Sequence, residues 1–144
     1  GIELVYQHAF GNFGLSANYP YTNADSDQQR DETIAGSGLV EGASEHMYNV
    51  TAYYENDTFG ARLMYNFRTE WYKGLHFSGS EVWNDEYGQL DFSSSVNVSE
   101  NISLIFEAVN ITDEEVIEYN TDPARLMSVY QNGRRFVAGV NLTF

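Results

Sequence analysis

The chain of 144 residues contains no cysteine, which excludes disulfides, thiolate chemistry and cysteine metal sites. Basic residues are scarce: 7 lysines and arginines stand against 21 aspartates and glutamates, giving a net charge of −14. That charge argues against a nucleic-acid partner, which would need basic patches. No apolar run approaches the roughly 20 residues of a membrane-spanning helix. Apolar residues of helical period also never persist beyond two turns, so helices are not expected.

Aromatic residues are abundant instead, at 15% of the chain, although the mean hydropathy is −0.42. Apolar residues recur at every second position, most clearly from Phe59 to Phe67. A period of two is that of a strand with one apolar and one mostly polar face. The sequence therefore predicts an all-β fold. Its composition suits a membrane β-barrel and also a soluble, lipocalin-like barrel.

Seven such strands are separated alternately by short turns and by long acidic connections. The short turns lie near 11–12, 56–58 and 99–101, and the long loops span about 22–45, 73–86 and 113–126. Short turns at one end and long loops at the other are typical of the antiparallel up-and-down transmembrane β-barrel. We therefore expect the long loops to be extracellular.

The aromatic residues also indicate which face meets lipid. They concentrate at the ends of the apolar faces, with smaller residues such as Val50 and Ala52 between them. Membrane barrels carry aromatic girdles at these positions, so the membrane interpretation is favoured over the soluble one. Seven strands cannot close as an antiparallel meander, so both edge strands need partners. The chain starts at Gly1 within an alternating pattern, without a signal-peptide-like segment, and we interpret this start as a processed or cut edge.

Two C-terminal stretches, SLIFEAVNITDEE and VYQNGRRFVAGVNLTF, resemble the end of TonB-dependent outer-membrane receptors. In that family an Asn-Leu-Thr-Asp-type strand end precedes a last strand with a Gly-Arg-aromatic core and a terminal Phe. The resemblance implies that residues 1–144 are the last seven strands of a plugged barrel of about 22 strands, with the plug absent from this chain. It also implies that Phe144 is the barrel-assembly signal.

The same resemblance implies an activity and its partners. The receptor would reside in the outer membrane of a Gram-negative bacterium and take up a bulky, scarce ligand by energy coupling. Its partners would be the remaining barrel strands and the plug, the TonB complex reached through the missing N-terminal part, outer-membrane lipid, and an extracellular ligand. The opening strand pair, GIELVYQHAFGNFGLSANYPYT, resembles that of carbohydrate-type or otherwise uncharacterised receptors of this family. This likeness implies a slight preference for an oligosaccharide over a ferric siderophore or a corrinoid.

Candidate site residues fall into two groups. Aromatic residues near the second long loop are candidate ligand contacts, because flat rings at a barrel mouth can stack on sugars: Trp71, Tyr72, Phe77, Trp83 and Tyr87. Charged residues on the polar face are candidates for contacts with the lumen or the plug: Glu3, Arg62, Arg68, Glu70, Asp91, Glu107 and Arg135. For each group a purely structural role, as interface girdle or as internal ion pairs, is the competing interpretation.

No catalytic constellation, metal site or cofactor is predicted. The acidic loops lack EF-hand spacing, and the three histidines have no second ligand at metal spacing. Two other functions remain open on the residues alone. A soluble or periplasmic β-barrel binding module would dissolve without detergent, and a passive porin would need no plug.

Overall fold

The computed structural model describes residues 1–24 and 29–143, which form eleven strands. Within these ranges no helix is long and apolar enough to cross a membrane. The strands are β1 (Ile2–Phe10), β2 (Phe13–Tyr21), β3 (Met47–Glu55), β4 (Phe59–Arg68), β5 (Trp71–Leu75), β6 (Glu81–Asn84), β7 (Tyr87–Ser99), β8 (Ile102–Val109), β9 (Val116–Asn120), β10 (Asp122–Tyr130) and β11 (Arg135–Leu142).

Seven of the strands form one antiparallel sheet in the order β1-β2-β3-β4-β7-β8-β11. These are the seven strands that the alternation predicts, and the all-β, up-and-down order is confirmed. The sheet is open, with β1 and β11 at its two edges. The short turns have local causes: Gly11 adopts a φ of 61°, and Asn56 Oδ1 accepts hydrogen bonds from the amides of Thr58 and Phe59.

The other four strands form a second sheet in the order β10-β9-β6-β5. Each of them continues a strand of the first sheet along the chain: β5 follows β4, β6 precedes β7, β9 follows β8, and β10 precedes β11. The neighbours β4, β7, β8 and β11 of the first sheet are thus continued, in the same order, by the neighbours β5, β6, β9 and β10 of the second sheet. A bridge between Ser44 and Trp71 carries the pairing one step further, from β5 to the end of the first long loop.

This second sheet corrects the expected boundaries of two loops. Residues 73–86 and 113–126 were expected to be long loops, but they contain parts of the hairpins β5–β6 and β9–β10. With the second long loop expected from about residue 73, the fourth strand was expected to run up to that point; it ends at Arg68, and Trp71 begins β5. The reason is that β5, β6 and β9 are only 4–5 residues long and mix polar and apolar residues on at least one face. Such strands leave no alternation to detect.

Aromatic rings cross the apolar face of the first sheet in two rows. Near the long connections, the ring of Tyr48 stacks between Tyr19 and Phe67, at centroid distances of 5.8 and 4.8 Å. Near the short turns, Phe13 and Tyr54 meet edge to face at 4.7 Å. Tyr48 and Tyr54 are six positions apart in β3, which places the two rows about 20 Å apart. Because barrel strands are tilted by about 35–45°, the rows bracket a band about 15 Å high, which fits within the apolar belt of an outer-membrane barrel, about 25 Å.

The buried core lies mainly in the second sheet. Tyr72, Val82 and Tyr119 belong to that sheet, and Ala108 is the only other apolar residue that is buried among the described residues. Large apolar side chains of the seven-stranded sheet are exposed instead; Leu4, Phe136 and Val140 are each 61% exposed. The seven-stranded sheet is thus a wall with two accessible faces, and the packed part of the molecule lies beyond its long-connection end.

Candidate functional site

A buried carboxylate fixes the first long loop to the second sheet. Glu81, the first residue of β6, is 8% exposed. Its Oε1 accepts the amide of Gly36 at 2.9 Å, and its Oε2 accepts Trp83 Nε1 at 3.1 Å. Arg30 Nη2 lies 3.4 Å from the same Oε2. Both carboxylate oxygens are therefore paired, and two of the three contacts reach the loop.

Gly36 is required where the loop meets this sheet. It has a φ of 76°, which disfavours any residue with a Cβ. A Cβ at this position would also clash with the hydroxyl of Tyr72. That hydroxyl is buried, and its burial raises the pKa of Tyr72, with further contributions from the carboxylates of Glu41 and Glu81. Tyr72 is therefore neutral and acts here as a packing surface.

A cleft of about 430 Å³ opens between the loop and the second sheet. Its aromatic wall is formed by Tyr72 and Trp83, whose ring centroids are 5.6 Å apart at an interplanar angle of 57°. The full lining is Ala24, Arg30, Leu39, Val40, Ala43, Glu45, His46, Thr69, Glu70, Tyr72, Trp83, Asp85 and Glu86. Four carboxylates thus face one guanidinium, which is already paired with Glu81. The cleft combines flat aromatic surface with an excess of hydrogen-bond acceptors and negative charge.

A second carboxylate holds together the strands of the second sheet. Glu118 in β9 is 7% exposed and accepts hydrogen bonds from Lys73 of β5 and from Ser128 of β10, the latter at 2.9 Å. Burial opposes ionisation of Glu118, but the ammonium of Lys73 and the hydroxyl of Ser128 outweigh it and hold the pKa of Glu118 below its usual value. The same hydrogen bond raises the pKa of Lys73. Both partners are thus charged at neutral pH.

The predicted ligand aromatics do not form one cluster. Tyr72 and Trp83 line the cleft. Trp71 lies under the guanidinium of Arg68, 3.8 Å from its ring centroid. Phe77 lies in the turn between β5 and β6 and is 96% exposed, whereas Tyr87 begins β7 and donates a hydrogen bond to Gln89. The structure brings two of the five candidates together at one cavity.

Four of the predicted polar-face charges have partners within the protein. Arg68 donates to Ser44 Oγ at 2.8 Å and to the carbonyl of Gly42 at 2.7 Å, so it anchors the end of the first loop. Arg62 lies 3.5 Å from Glu55, and Asp91 accepts hydrogen bonds from Gln89 and from the amide of Asn110. Glu70 accepts the Tyr119 hydroxyl at 2.5 Å, in the connection between β4 and β5.

Glu3, Glu107 and Arg135 are exposed and have no hydrogen-bond or ion-pair partner in the part of the chain that the structure describes. They occupy strand positions on the polar face, in β1, β8 and β11. Contact of these three residues with a plug stays a prediction. Phe144, the predicted assembly signal, lies outside the described residues.

The acidic and imidazole groups do not gather into a metal site in the described ranges: no group of three or more could hold an ion. His46 is instead part of the aromatic row, because its Nδ1 lies 2.7 Å from the hydroxyl of Tyr19. Asp25 and Asp27 of the first acidic loop fall outside the described residues.

Comparison with known families identifies the fold of the wall. The family model for the TonB-dependent receptor-like β-barrel matches residues 1–111. The chain belongs to this family. No curated protein and no solved structure matches the chain. The match ends at Ile111, so it rests on β1 to β8 and lies largely outside the C-terminal motif that first suggested the family.

Membership in the TonB-dependent receptor family indicates which face of the seven-stranded wall meets lipid. Its members are transporters, not enzymes, and form β-barrels in the outer membrane of Gram-negative bacteria, where the barrel works with a plug and the TonB system. In such a barrel the apolar face meets lipid and the polar face meets the lumen. In barrels of this family type the long connections lie on the extracellular side. We therefore propose that the cleft and the second sheet lie outside the membrane, at the mouth of the barrel.

Glu81 and Glu118 were missed by the sequence analysis. Both act through partners that are distant in sequence: Gly36 is 45 positions from Glu81, and Lys73 is 45 positions from Glu118. No local signal marks Glu81, because polar and apolar residues do not alternate from Glu81 to Asp85.

Proposed function

We propose that this chain supplies the C-terminal wall of a TonB-dependent receptor whose ligand is an oligosaccharide, and that the cleft is where the sugar first binds. The observation that carries this proposal is the lining of the cleft. The half-buried ring of Trp83 offers stacking surface, backed by the buried ring of Tyr72, and four carboxylates offer acceptors for hydroxyl groups. Buried aromatic surface with a few convergent polar groups is the usual composition of a small-molecule site.

The charge of the cleft argues against the ligands that compete with an oligosaccharide. Glu45, Glu70, Asp85 and Glu86 line it, whereas Arg30, the only arginine or lysine among the described residues of the lining, is already paired. An anionic ferric chelate would be repelled by such a lining, because unpaired like charges act against binding. A neutral polyol is not repelled. The acidic cleft therefore favours binding of a neutral oligosaccharide over binding of an anionic siderophore.

Calorimetric titration of the full-length receptor in lipid nanodiscs tests the proposal. The probes are neutral linear hexasaccharides with different linkages, and an anionic ferric catecholate serves as the comparison. We expect one of the sugars to bind and the catecholate not to bind. We also expect Trp83→Ala to weaken sugar binding by about 30-fold, the effect of removing a central aromatic contact.

Phe77→Ala is the matched control. Phe77 belongs to the same hairpin but is 96% exposed and lies outside the cleft lining. If Phe77→Ala weakens binding and Trp83→Ala does not, the ligand meets the tip of the hairpin and the proposed cleft is wrong. If the catecholate binds and every sugar fails, the oligosaccharide itself is wrong.

A further inference from the structure

Three asparagines form a row across the polar face of the first sheet. Asn18 of β2 lies directly opposite Asn49 of β3, which in turn lies opposite Asn66 of β4. Residues that are directly opposite in neighbouring strands have side chains on the same face. We call Asn18, Asn49 and Asn66 the asparagine row. Gln89 of β7 is opposite Asn66 and continues the line.

The asparagine row is unsatisfied, whereas Gln89 is not. The amide of Gln89 donates to both oxygens of Asp91 and accepts the hydroxyl of Tyr87 at 2.7 Å, so its hydrogen-bonding capacity is used. Asn18 Oδ1 is buried and has no partner among the described residues. Buried polar atoms nearly always have a partner, so an orphan of this kind needs an explanation.

The other two members of the row are accessible. Asn49 and Asn66 are exposed, and their side chains have no hydrogen-bond partner in the described ranges. Each carboxamide presents two donors and an acceptor. The row thus offers a strip of uncharged hydrogen-bonding groups on the face that belongs to the lumen.

The asparagine row lies just below the cleft. Asn49 is four positions after Glu45, and Asn66 is four positions before Glu70; both Glu45 and Glu70 line the cleft, and an even separation along a strand keeps side chains on one face. Four residues of a strand span about 13 Å. A ligand that enters the barrel from the cleft therefore reaches this row next.

We propose that the asparagine row is a second binding site for an uncharged, polyhydroxylated ligand, one step further into the barrel than the cleft; this rests on the proposed function. Strands are spaced about 4.8 Å apart, so the row repeats its amides at that interval across the wall. The advance per sugar in an extended glycan is similar, which allows one amide to serve one sugar. Because amides are uncharged, the site is selective for hydroxyl groups and not for ionised ones.

Several weak, equivalent contacts also allow a ligand to pass through the barrel. A ligand in transit must bind favourably enough to enter but loosely enough to leave, which several equivalent weak sites provide. No member of the row brings a charge that would have to be neutralised when the ligand moves on. The row therefore guides the ligand and does not retain it.

The test uses the full-length receptor in nanodiscs and whichever neutral hexasaccharide the unmodified protein binds. Single variants Asn49→Ala and Asn66→Ala are compared with Asn141→Ala. Asn141 is also an exposed asparagine on the polar face, but it lies near the C-terminal end of β11, at the short-turn end of the sheet and away from the cleft. We expect each row variant to weaken hexasaccharide binding by about three- to tenfold, the effect of one lost hydrogen bond, and the control to change nothing.

Two further readings decide the outcome. Binding of the free monosaccharide should change little in the row variants, because a single sugar in the cleft does not reach the row. The heat-unfolding midpoint of the ligand-free receptor reports on the plug. If the row variants lower that midpoint and leave hexasaccharide binding intact, the plug occupies the row and the proposal is overturned.

The inference can fail separately from the proposed function. If Trp83→Ala weakens sugar binding and neither row variant does, the cleft stands and the second site is wrong. If no sugar binds the unmodified receptor, both are wrong.

Discussion

Replacing Glu81 by glutamine should detach the first long loop from the second sheet while leaving the barrel wall folded. The glutamine has nearly the same size, but it carries no charge and only one acceptor oxygen. It can accept either the amide of Gly36 or the indole of Trp83, and the other N–H then faces an amide nitrogen. The ion pair with Arg30 is lost at the same time.

The magnitude follows from these contacts. Losing a charge-assisted hydrogen bond in a buried position costs about 1.5–3 kcal/mol. Because each 1.4 kcal/mol corresponds to a factor of ten, the population of the open loop should rise about 10- to 150-fold. The effect should remain local, since the strands of the first sheet are held by their own ladders.

Hydrogen exchange followed by mass spectrometry measures this population. In the full-length receptor, peptides covering residues 29–45 should exchange about 10- to 150-fold faster in the variant, whereas peptides from β3 and β4 should not change. Glu86→Gln is the matched control, because Glu86 also lines the cleft but makes no hydrogen bond to the loop. Equal acceleration in both variants would show that cleft charge, not the contacts of Glu81, sets loop stability. No acceleration in Glu81→Gln would refute the reasoning directly.

Two other predictions concern the second sheet and the wall. The pKa of Glu118 is lowered, so the stability that its carboxylate contributes is fully present above the usual value of 4.5 and is lost as the pH falls through the lowered pKa. The pKa of Lys73 is raised, so the stability that its ammonium contributes is fully present below the usual value of 10.5 and is lost as the pH rises through the raised pKa. Exchange protection of β9 and β10, corrected for intrinsic rates, should therefore hold from pH 4.5 to pH 10.5 and fall only outside that range, and a decline already at neutral pH would contradict this. Gly14→Ala should lower the free energy of unfolding by about 1–3 kcal/mol, because its Cβ would collide with the ring of Tyr53, whereas Gly139→Ala has open space and should be neutral. Urea unfolding of the two variants in detergent checks this pair, and equal midpoints would show that the ring of Tyr53 moves aside freely.

Alternation predicted the wall because each of its strands has one continuous apolar face. In β4, for example, Phe59, Leu63 and Phe67 fall on the side opposite Arg62 and Asn66. Lipid demands that pattern over the whole length of the strand, so it is legible without any knowledge of neighbours. The aromatic rows were predictable for the same reason, since they mark the two ends of that face.

The second sheet could not be predicted because long-range pairs define it. β5 reads Trp-Tyr-Lys-Gly-Leu, which shows no regular alternation, and a register shift between Tyr72 and Gly74 disturbs it further. The ammonium of Lys73 donates its hydrogen bond to Glu118, 45 positions away. The cleft depends in the same way on Gly36 and Glu81, so the two predicted ligand aromatics that line it could not be placed until these pairs were known.

The continuation of the wall by the second sheet has a consequence for the rate of ligand binding. Loops that close over a ligand make association wait for a slow conformational step, and the observed rate then levels off at high ligand concentration. Here the mouth is built from hydrogen-bonded strands that continue β4, β7, β8 and β11, and its first loop is already fixed by Glu81. Such a mouth is ready before the ligand arrives. Association should then be a single bimolecular step, linear in ligand concentration, with a rate constant in the range of preformed sites, about 10⁵–10⁷ M⁻¹s⁻¹.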